Sequence, residues 1–215
     1  MENIRAVVFD VGETLIDESR IWLRWADYLG VPPATLLGLL GAAVGRNEAV
    51  KDYFALVRPG FEWDQALQQW EREQPDSLQA SFDKEDLYPD VLETLGALKA
   101  LGYKVFISGN QPPQATPQLE AMALPVDIIW NSADMGHEKP ASEFFDKVIE
   151  LADCAPTQIV YVGDRFDNDV VPALKAGLKP VMLRRGVWGY LQAGQAQELG
   201  VPVIDSLAEL LDILA

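Results

Sequence analysis

Near the start of the chain one aspartate closes an apolar run. The stretch reads Arg5-Ala6-Val7-Val8-Phe9-Asp10-Val11-Gly12-Glu13-Thr14-Leu15. Ala6 to Phe9 is apolar on both faces, the pattern of a fully buried strand. The run ends on Asp10, a carboxylate that a strand cannot bury unpaired. Gly12 follows two residues on and lets the backbone turn and approach a ligand closely. A carboxylate at the carboxyl end of a buried parallel strand lies where open α/β sheets bind ligands. Taken alone, the same aspartate could equally cap the next helix.

Three later stretches bear on that choice. They are Ile107-Ser108-Gly109-Asn110, then Glu138-Lys139-Pro140, then Val162-Gly163-Asp164-Arg165-Phe166-Asp167-Asn168-Asp169. Each follows or closely trails another apolar run. The order is an aspartate, a small polar loop, a lysine and a pair of acids. In this order the chain resembles the haloacid dehalogenase-like (HAD) hydrolases, over nearly its whole length. The Asp10 and Asp164–Asp169 motifs are the more specific, and the Ser108–Asn110 motif is the weakest.

The resemblance implies a role for each position. Asp10 would be the nucleophile, because a carboxylate can attack phosphorus and split one hard step into two. Asp164 and Asp169, with Asp10 and the Gly12 carbonyl, would hold Mg²⁺, a hard ion that prefers oxygen ligands. The metal would offset repulsion between the carboxylates and a phosphate. Lys139 would hold the phosphoryl oxygens and Asp10 in place. One of Asp167, Asn168 and Asp169 is expected to cap the following helix.

Two departures from the family pattern stand out. Gly12 occupies the place where many of the family's phosphatases have a second aspartate that protonates the leaving group. Glu13 is adjacent, but a neighbouring side chain normally points elsewhere. The second motif usually carries Ser or Thr followed by Asn. Counting from Gly102-Tyr103-Lys104 puts Gly109 at the hydroxyl position with Asn110 beside it. The other register puts Ser108 there and leaves Asn110 one residue late. With Gly109 in place, the N–H groups of Gly109 and Asn110 are expected to bind phosphate as a nest. A missing hydroxyl costs on the order of 10²-fold in rate. A missing acid costs roughly 10²–10⁴-fold for a poor leaving group.

The elements that must position these residues follow from periodicity. After Leu15 the pattern turns helical, with Ile21, Trp22, Trp25 and Leu29 on one face and Gly30 as the stop. Pro32-Pro33 restarts a helix through Leu36, Leu37, Leu40 and Val44. A further helix runs from Asp64 to Gln74, ended by Pro75. No strand is predicted between 18 and 85, and four of the six tryptophans fall there: Trp22, Trp25, Trp63 and Trp70. Aromatics of that size are expected mostly in a core, with one or two left to face a cleft. Strands are then predicted at Tyr103–Ser108, Ile128–Trp130, Ile159–Val162, Pro180–Leu183 and Pro202–Ile204. Helices are predicted at Pro89–Leu101, Ser142–Leu151, Asn168–Ala176 and Leu207–Leu214. Strands separated by helices imply a parallel, doubly wound α/β sheet with right-handed crossovers. The resemblance implies the same Rossmann-like core, with residues 1–16 and 86–215 as catalytic core and 17–85 as an inserted helical cap.

Composition limits the function classes. The chain has 215 residues, 49% of them hydrophobic, enough for one core domain with an insertion. A net charge of −16 and a pI near 4.3 argue against nucleic acid or an anionic membrane as partner. The single Cys154 excludes an internal disulfide, and without a secretory signal the expected location is cytoplasmic. Three readings stay open. The first is an Mg²⁺-dependent phosphatase of a small phosphorylated metabolite. The second is a 2-haloacid dehalogenase-like hydrolase that needs no metal, against which the Asp164–Asp169 acids speak. The third is a catalytically silent binding protein on the same fold. His137 and the pair Arg184-Arg185 lie near motif positions and are not assigned to the site.

Overall fold

A computed structural model of the chain describes residues 1–73 and 82–215. It divides into two compact units, Met1–Asp17 with Asp83–Ala215 and Glu18–Phe82.

The larger unit is built on a six-stranded, all-parallel sheet. Its first strand, β1, is Ala6–Phe9, and all four residues are fully buried. In the smaller unit α1 (Ser19–Leu29), α2 (Pro33–Arg46), α3 (Val50–Val57) and α4 (Trp63–Glu73) follow. The larger unit then resumes with α5 (Val91–Ala100), β2 (Lys104–Ile107), α6 (Ala115–Ala121), β3 (Ile128–Ile129), α7 (Ser132–Met135) and α8 (Ser142–Ala152). It continues with β4 (Ile159–Gly163), α9 (Val171–Lys175), β5 (Lys179–Leu183), α10 (Gly186–Glu198), β6 (Val203–Ile204) and α11 (Glu209–Leu214). The strand order is β3-β2-β1-β4-β5-β6. This is the Rossmann-like α/β architecture expected from the strand–helix alternation.

The order places β1 between β2 and β4. Phe9 is in register with Ile107 on one side and Val162 on the other. The Asp10 N–H donates to Val162 O at 2.9 Å, and the Ser108 N–H donates to Phe9 O at 2.8 Å. The residues that leave β1, β2 and β4 therefore emerge side by side at one end of the sheet. One face of the sheet is held by Ala6, Val8, Phe106 and Tyr161, packed with Phe144, Phe145 and Val148 of α8. Phe144 meets Phe145 edge-on at 5.2 Å, and Phe145 meets Tyr161 at 5.3 Å.

The smaller unit has its own core. Trp25, Leu29, Leu36, Phe54, Phe61, Ala66 and Trp70 pack together, with Trp22 partly buried against them. Trp25 and Trp70 meet edge-to-face at 4.9 Å, a geometry that adds about 0.5–1.5 kcal/mol beyond area burial. The end of the helix predicted from Asp64 to Gln74, with its stop at Pro75, lies outside the described residues. Gly30 ends α1 as expected, with φ +71° and its N–H returned to Asp27 O.

Some elements differ from the sequence reading. Helix α3, α6, the single turn α7 and the long α10 are additional. Gly186, Gly189 and Gly194 lower the helix propensity of α10. Gly189 is needed there, because a Cβ would come within 2.7 Å of Leu183 O. The helix predicted from Asn168 begins instead as a wide π turn over Phe166–Val170, with the N–H groups of Asp169 and Val170 both directed at Arg165 O.

Candidate active site

Asp10 leaves β1 directly and Asp164 leaves β4 directly. Asp169 is carried back toward both by the π turn, a bulge that recurs at functional sites. The three residues are buried, and one carboxylate oxygen from each lies within 4.8 Å of the others. Lys139 reaches into this group from the loop before α8. Its Nζ lies 2.8 Å from Asp10 Oδ1 and 2.6 Å from Asp169 Oδ1. Its side chain is only 1% exposed, so this ammonium has left bulk water. Burial alone would pull its pKa down, but Asp10 and Asp169 outweigh it and hold the pKa well above the ordinary lysine value. Burial and the nearby Asp10 push Asp169 up to about 6, although Lys139 pulls the other way. Lys139 thus serves two of the three clustered carboxylates, Asp10 and Asp169, and all three are buried. Burial of so many carboxylates in one place is unfavourable. A hard divalent cation bound by oxygen would offset this, and these donors fit one.

Asp169 is held at both oxygens. Oδ1 accepts from Lys139, and Oδ2 accepts from the Arg165 N–H at 2.9 Å. The expected side-chain cap is not formed at the start of the π turn or of α9; Asp169 instead reaches back to the N–H of Arg165 and fixes the start of the turn. Asp167 pairs instead with Arg165, whose guanidinium lies 5.0 Å from the Trp188 ring centre. Gly163 permits this arrangement, because a Cβ there would overlap the Asp169 carboxylate.

The loop after β2 corrects the sequence reading in detail. Gly109 does lie against Asp10, and a Cβ at 109 would overlap Asp10 Oδ1 and sit 3.2 Å from Val11 N. Ser108 is turned away, its hydroxyl donating to Trp130 O at 2.7 Å. The Gly109 N–H, however, donates to Asn131 Oδ1 at 3.0 Å. It is therefore not one half of the expected phosphate nest. Asn110 has another task as well. Its Nδ2 donates to Lys139 O at 2.8 Å, and its Oδ1 accepts from the Lys139 N–H at 2.7 Å. This two-way clamp fixes the backbone that carries the ammonium. Among the described residues the Asn110 N–H itself donates to no protein acceptor.

Two supporting residues went unnoticed in the sequence. Asn131, fully buried just past β3, orients Gly109. Tyr161 on β4 donates to Ser108 O at 2.7 Å and lies 5.5 Å beneath the Lys139 ammonium, with Phe144 at 5.9 Å. A tyrosine in a strand that ends on a motif aspartate was the available signal for the second.

The residues outside the assigned site also have places. His137 is exposed. Arg184 pairs with Asp205 at the surface, at 2.6 and 2.7 Å. Arg185 donates to Thr14 O at 3.0 Å, pairs with Asp90 and stacks 4.2 Å from the Tyr88 ring centre. Glu13 accepts from the Tyr88 hydroxyl at 2.5 Å. Burial and that bond to Glu13 push the Tyr88 pKa far up.

Comparisons with known proteins agree with this arrangement. Residues 4–177 match the family model described as haloacid dehalogenase-like hydrolase. The chain is 30% identical to the phosphoglycolate phosphatase of Escherichia coli K12, over 99% of this chain and 93% of that one. It is 31% identical to the glyceraldehyde 3-phosphate phosphatase of Methanopyrus kandleri, over 59% of this chain and 56% of the other, so it spans just over half of that relative. Among solved structures, the HAD-hydrolase YfnB of Bacillus subtilis, bound to magnesium, superposes with a TM-score of 0.68 over 99% of both chains at 20% identity, a likeness of fold. No single helix among the described residues is long and apolar enough to cross a membrane. With motif residues that converge at the ends of β1, β2 and β4, and a family match over most of its length, the chain belongs to the haloacid dehalogenase-like hydrolases.

Proposed function

We propose that the protein is an Mg²⁺-dependent phosphatase of a small phosphorylated metabolite, with Asp10 as nucleophile. The observation that carries this reading is the buried meeting of Asp10, Asp164 and Asp169 around one lysine. A dehalogenase-like attack on carbon has no use for so many carboxylates. The names of the phosphatase relatives point the same way.

Asp10, Asp164 and the Gly12 carbonyl would hold the metal, with Asp169 anchoring Lys139 behind them. Gly12 O accepts no hydrogen bond among the described residues. Bound there, Mg²⁺ would neutralise repulsion between phosphate and carboxylates. Lys139 holds one Asp10 oxygen, which removes a rotational freedom that attack would otherwise have to lose. An Asp10 oxygen attacks phosphorus as the ester P–O bond breaks. The products are an aspartyl phosphate and a leaving oxyanion, which takes its proton from water. Water then attacks the same phosphorus, loses a proton to solvent, and releases inorganic phosphate and the free Asp10 carboxylate. The helical unit Glu18–Phe82 would act as the cap that selects the substrate.

A panel of phosphate esters and acyl phosphates, with a 2-haloacid as control, tests the reading with and without Mg²⁺. Phosphate release should require Mg²⁺, and the 2-haloacid should yield no halide. Asp164→Asn should lose the rise in melting temperature that Mg²⁺ gives the wild type. Halide release without metal would overturn the reading in favour of dehalogenation. No turnover and no response to Mg²⁺ would leave a silent binding protein.

A further inference from the structure

The loop from Val11 to Asp17 has an unusual feature at Glu13. This residue has φ +50°, the left-handed region that a side chain disfavours. It is also a carboxylate only 8% exposed. Strain and burial of this kind persist only where the surroundings over-determine them, and here they do. The Tyr88 hydroxyl donates to Glu13 Oε2 at 2.5 Å. Gly186, itself at φ +58°, makes room for the side chain: a Cβ there would come within 2.5 Å of Glu13 Cγ and 2.7 Å of Cδ. Arg185 caps the Tyr88 ring and grips Thr14 O. The Tyr88 N–H donates to Leu15 O at 3.0 Å. The loop closes on itself as well, with the Leu15 and Ile16 N–H groups on Val11 O and the Glu13 N–H on Ile16 O. Through all of this the N–H groups of Val11 and Gly12 and the Gly12 carbonyl stay uncommitted among the described residues.

We propose that Glu13 is a positioning residue, not the replacement for the missing acid at Gly12. Its carboxylate, locked by Tyr88 over Gly186, holds the loop that follows Asp10 in the one conformation that leaves those backbone groups open to ligands. The leaving group then receives no proton from this loop. The preferred substrates are therefore phosphates with acidic leaving groups, acyl and aryl phosphates ahead of alkyl ones. The substrate preference rests on the phosphatase reading above; the positioning role does not.

Four variants of the full chain decide it: Glu13→Gln, Glu13→Ala, Tyr88→Phe and the double variant Glu13→Ala/Tyr88→Phe. One readout is amide hydrogen exchange at Glu13, Leu15 and Ile16. The other is log kcat/KM with Mg²⁺ against leaving-group pKa. Glutamine can still accept from Tyr88, so Glu13→Gln should keep exchange protection and the rates of wild type. Glu13→Ala and Tyr88→Phe should each speed exchange about tenfold, equivalent to about 1.4 kcal/mol, the size of one hydrogen bond. The double variant should lose less than the sum of the two single losses, because both remove the contact between Glu13 and Tyr88. The steep dependence on leaving-group pKa should be the same in all variants.

Glu13→Gln as slow as Glu13→Ala, with the plot flat in wild type and steep in both, would make Glu13 the acid and overturn the proposal. So would exchange in Glu13→Ala and Tyr88→Phe equal to that of wild type. If Glu13→Ala does not fold, Glu13→Gln and Tyr88→Phe carry the same contrast. If wild type hydrolyses no phosphate, the phosphatase reading falls, and the exchange measurement still decides the positioning role.

Discussion

Lys139 is the residue on which the others converge. Its backbone is clamped by Asn110, its ammonium is shared by Asp10 and Asp169, and two aromatic rings lie beneath it. That Asp10, Lys139, Asp164 and Asp169 belong together was legible in the sequence, because each ends or trails an apolar strand. The work of Asn110 was not, because its partner is the backbone of a residue 29 positions away. Gly109 was legible by counting, but the reason for a glycine there was not. It faces Asp10 so closely that a side chain would displace the carboxylate from Lys139. Restoring the family hydroxyl by Gly109→Ser should therefore lower kcat/KM, by about tenfold or more, since small misplacement of a reacting group is costly. Gly109→Ala should behave alike in the same assay. A gain in rate with serine would mean that Asp10 has room to adjust.

At the scale of elements, strands and apolar helices were readable from their period, and the connections between them were not. Helix α10 was hidden by its glycines, and the π turn by having no pattern of its own. Both matter to the site. The turn brings Asp169 to Lys139, and the start of α10 brings Arg185 to the loop after β1. Arg185 also joins that loop to α5 and α11 through Asp90, which accepts from Ser206 Oγ at 2.9 Å and from Leu207 N at 2.8 Å. Burial tends to raise the Asp90 pKa, yet Arg185, Leu207 and Ser206 together bring it below the usual aspartate value. A carboxylate shifted in that direction stabilises the fold above its unfolded pKa, and the effect is lost as pH falls through the folded one. Arg185→Ala should thus cost about 1–3 kcal/mol in urea unfolding at neutral pH, because Asp90 loses its cation and Thr14 O its donor. The loss should shrink at acid pH and in the background of Asp90→Asn. An unchanged loss in that background would show that the pair is not coupled.

The whole molecule carries a net charge of −16, and among the described residues three buried carboxylates meet at the site. Asp169, raised to about 6, contributes to stability in the sense opposite to Asp90. Its contribution is present below the unfolded aspartate pKa and is lost as pH rises through about 6. The metal-free protein should therefore gain more from a cation at pH 7 than at pH 5. Melting temperatures with and without Mg²⁺ should show a gap that widens across that interval. A gap independent of pH would place the ion away from these carboxylates. The central claim is the covalent role of Asp10, and a rapid quench during turnover of an acyl or aryl phosphate with Mg²⁺ tests it most directly. Borohydride in the quench reduces an acyl phosphate to an alcohol, so peptide mapping should find homoserine at position 10, only with both substrate and Mg²⁺. Sustained phosphate release by Asp10→Asn, or homoserine at another acid with Asp10 intact, would contradict the account.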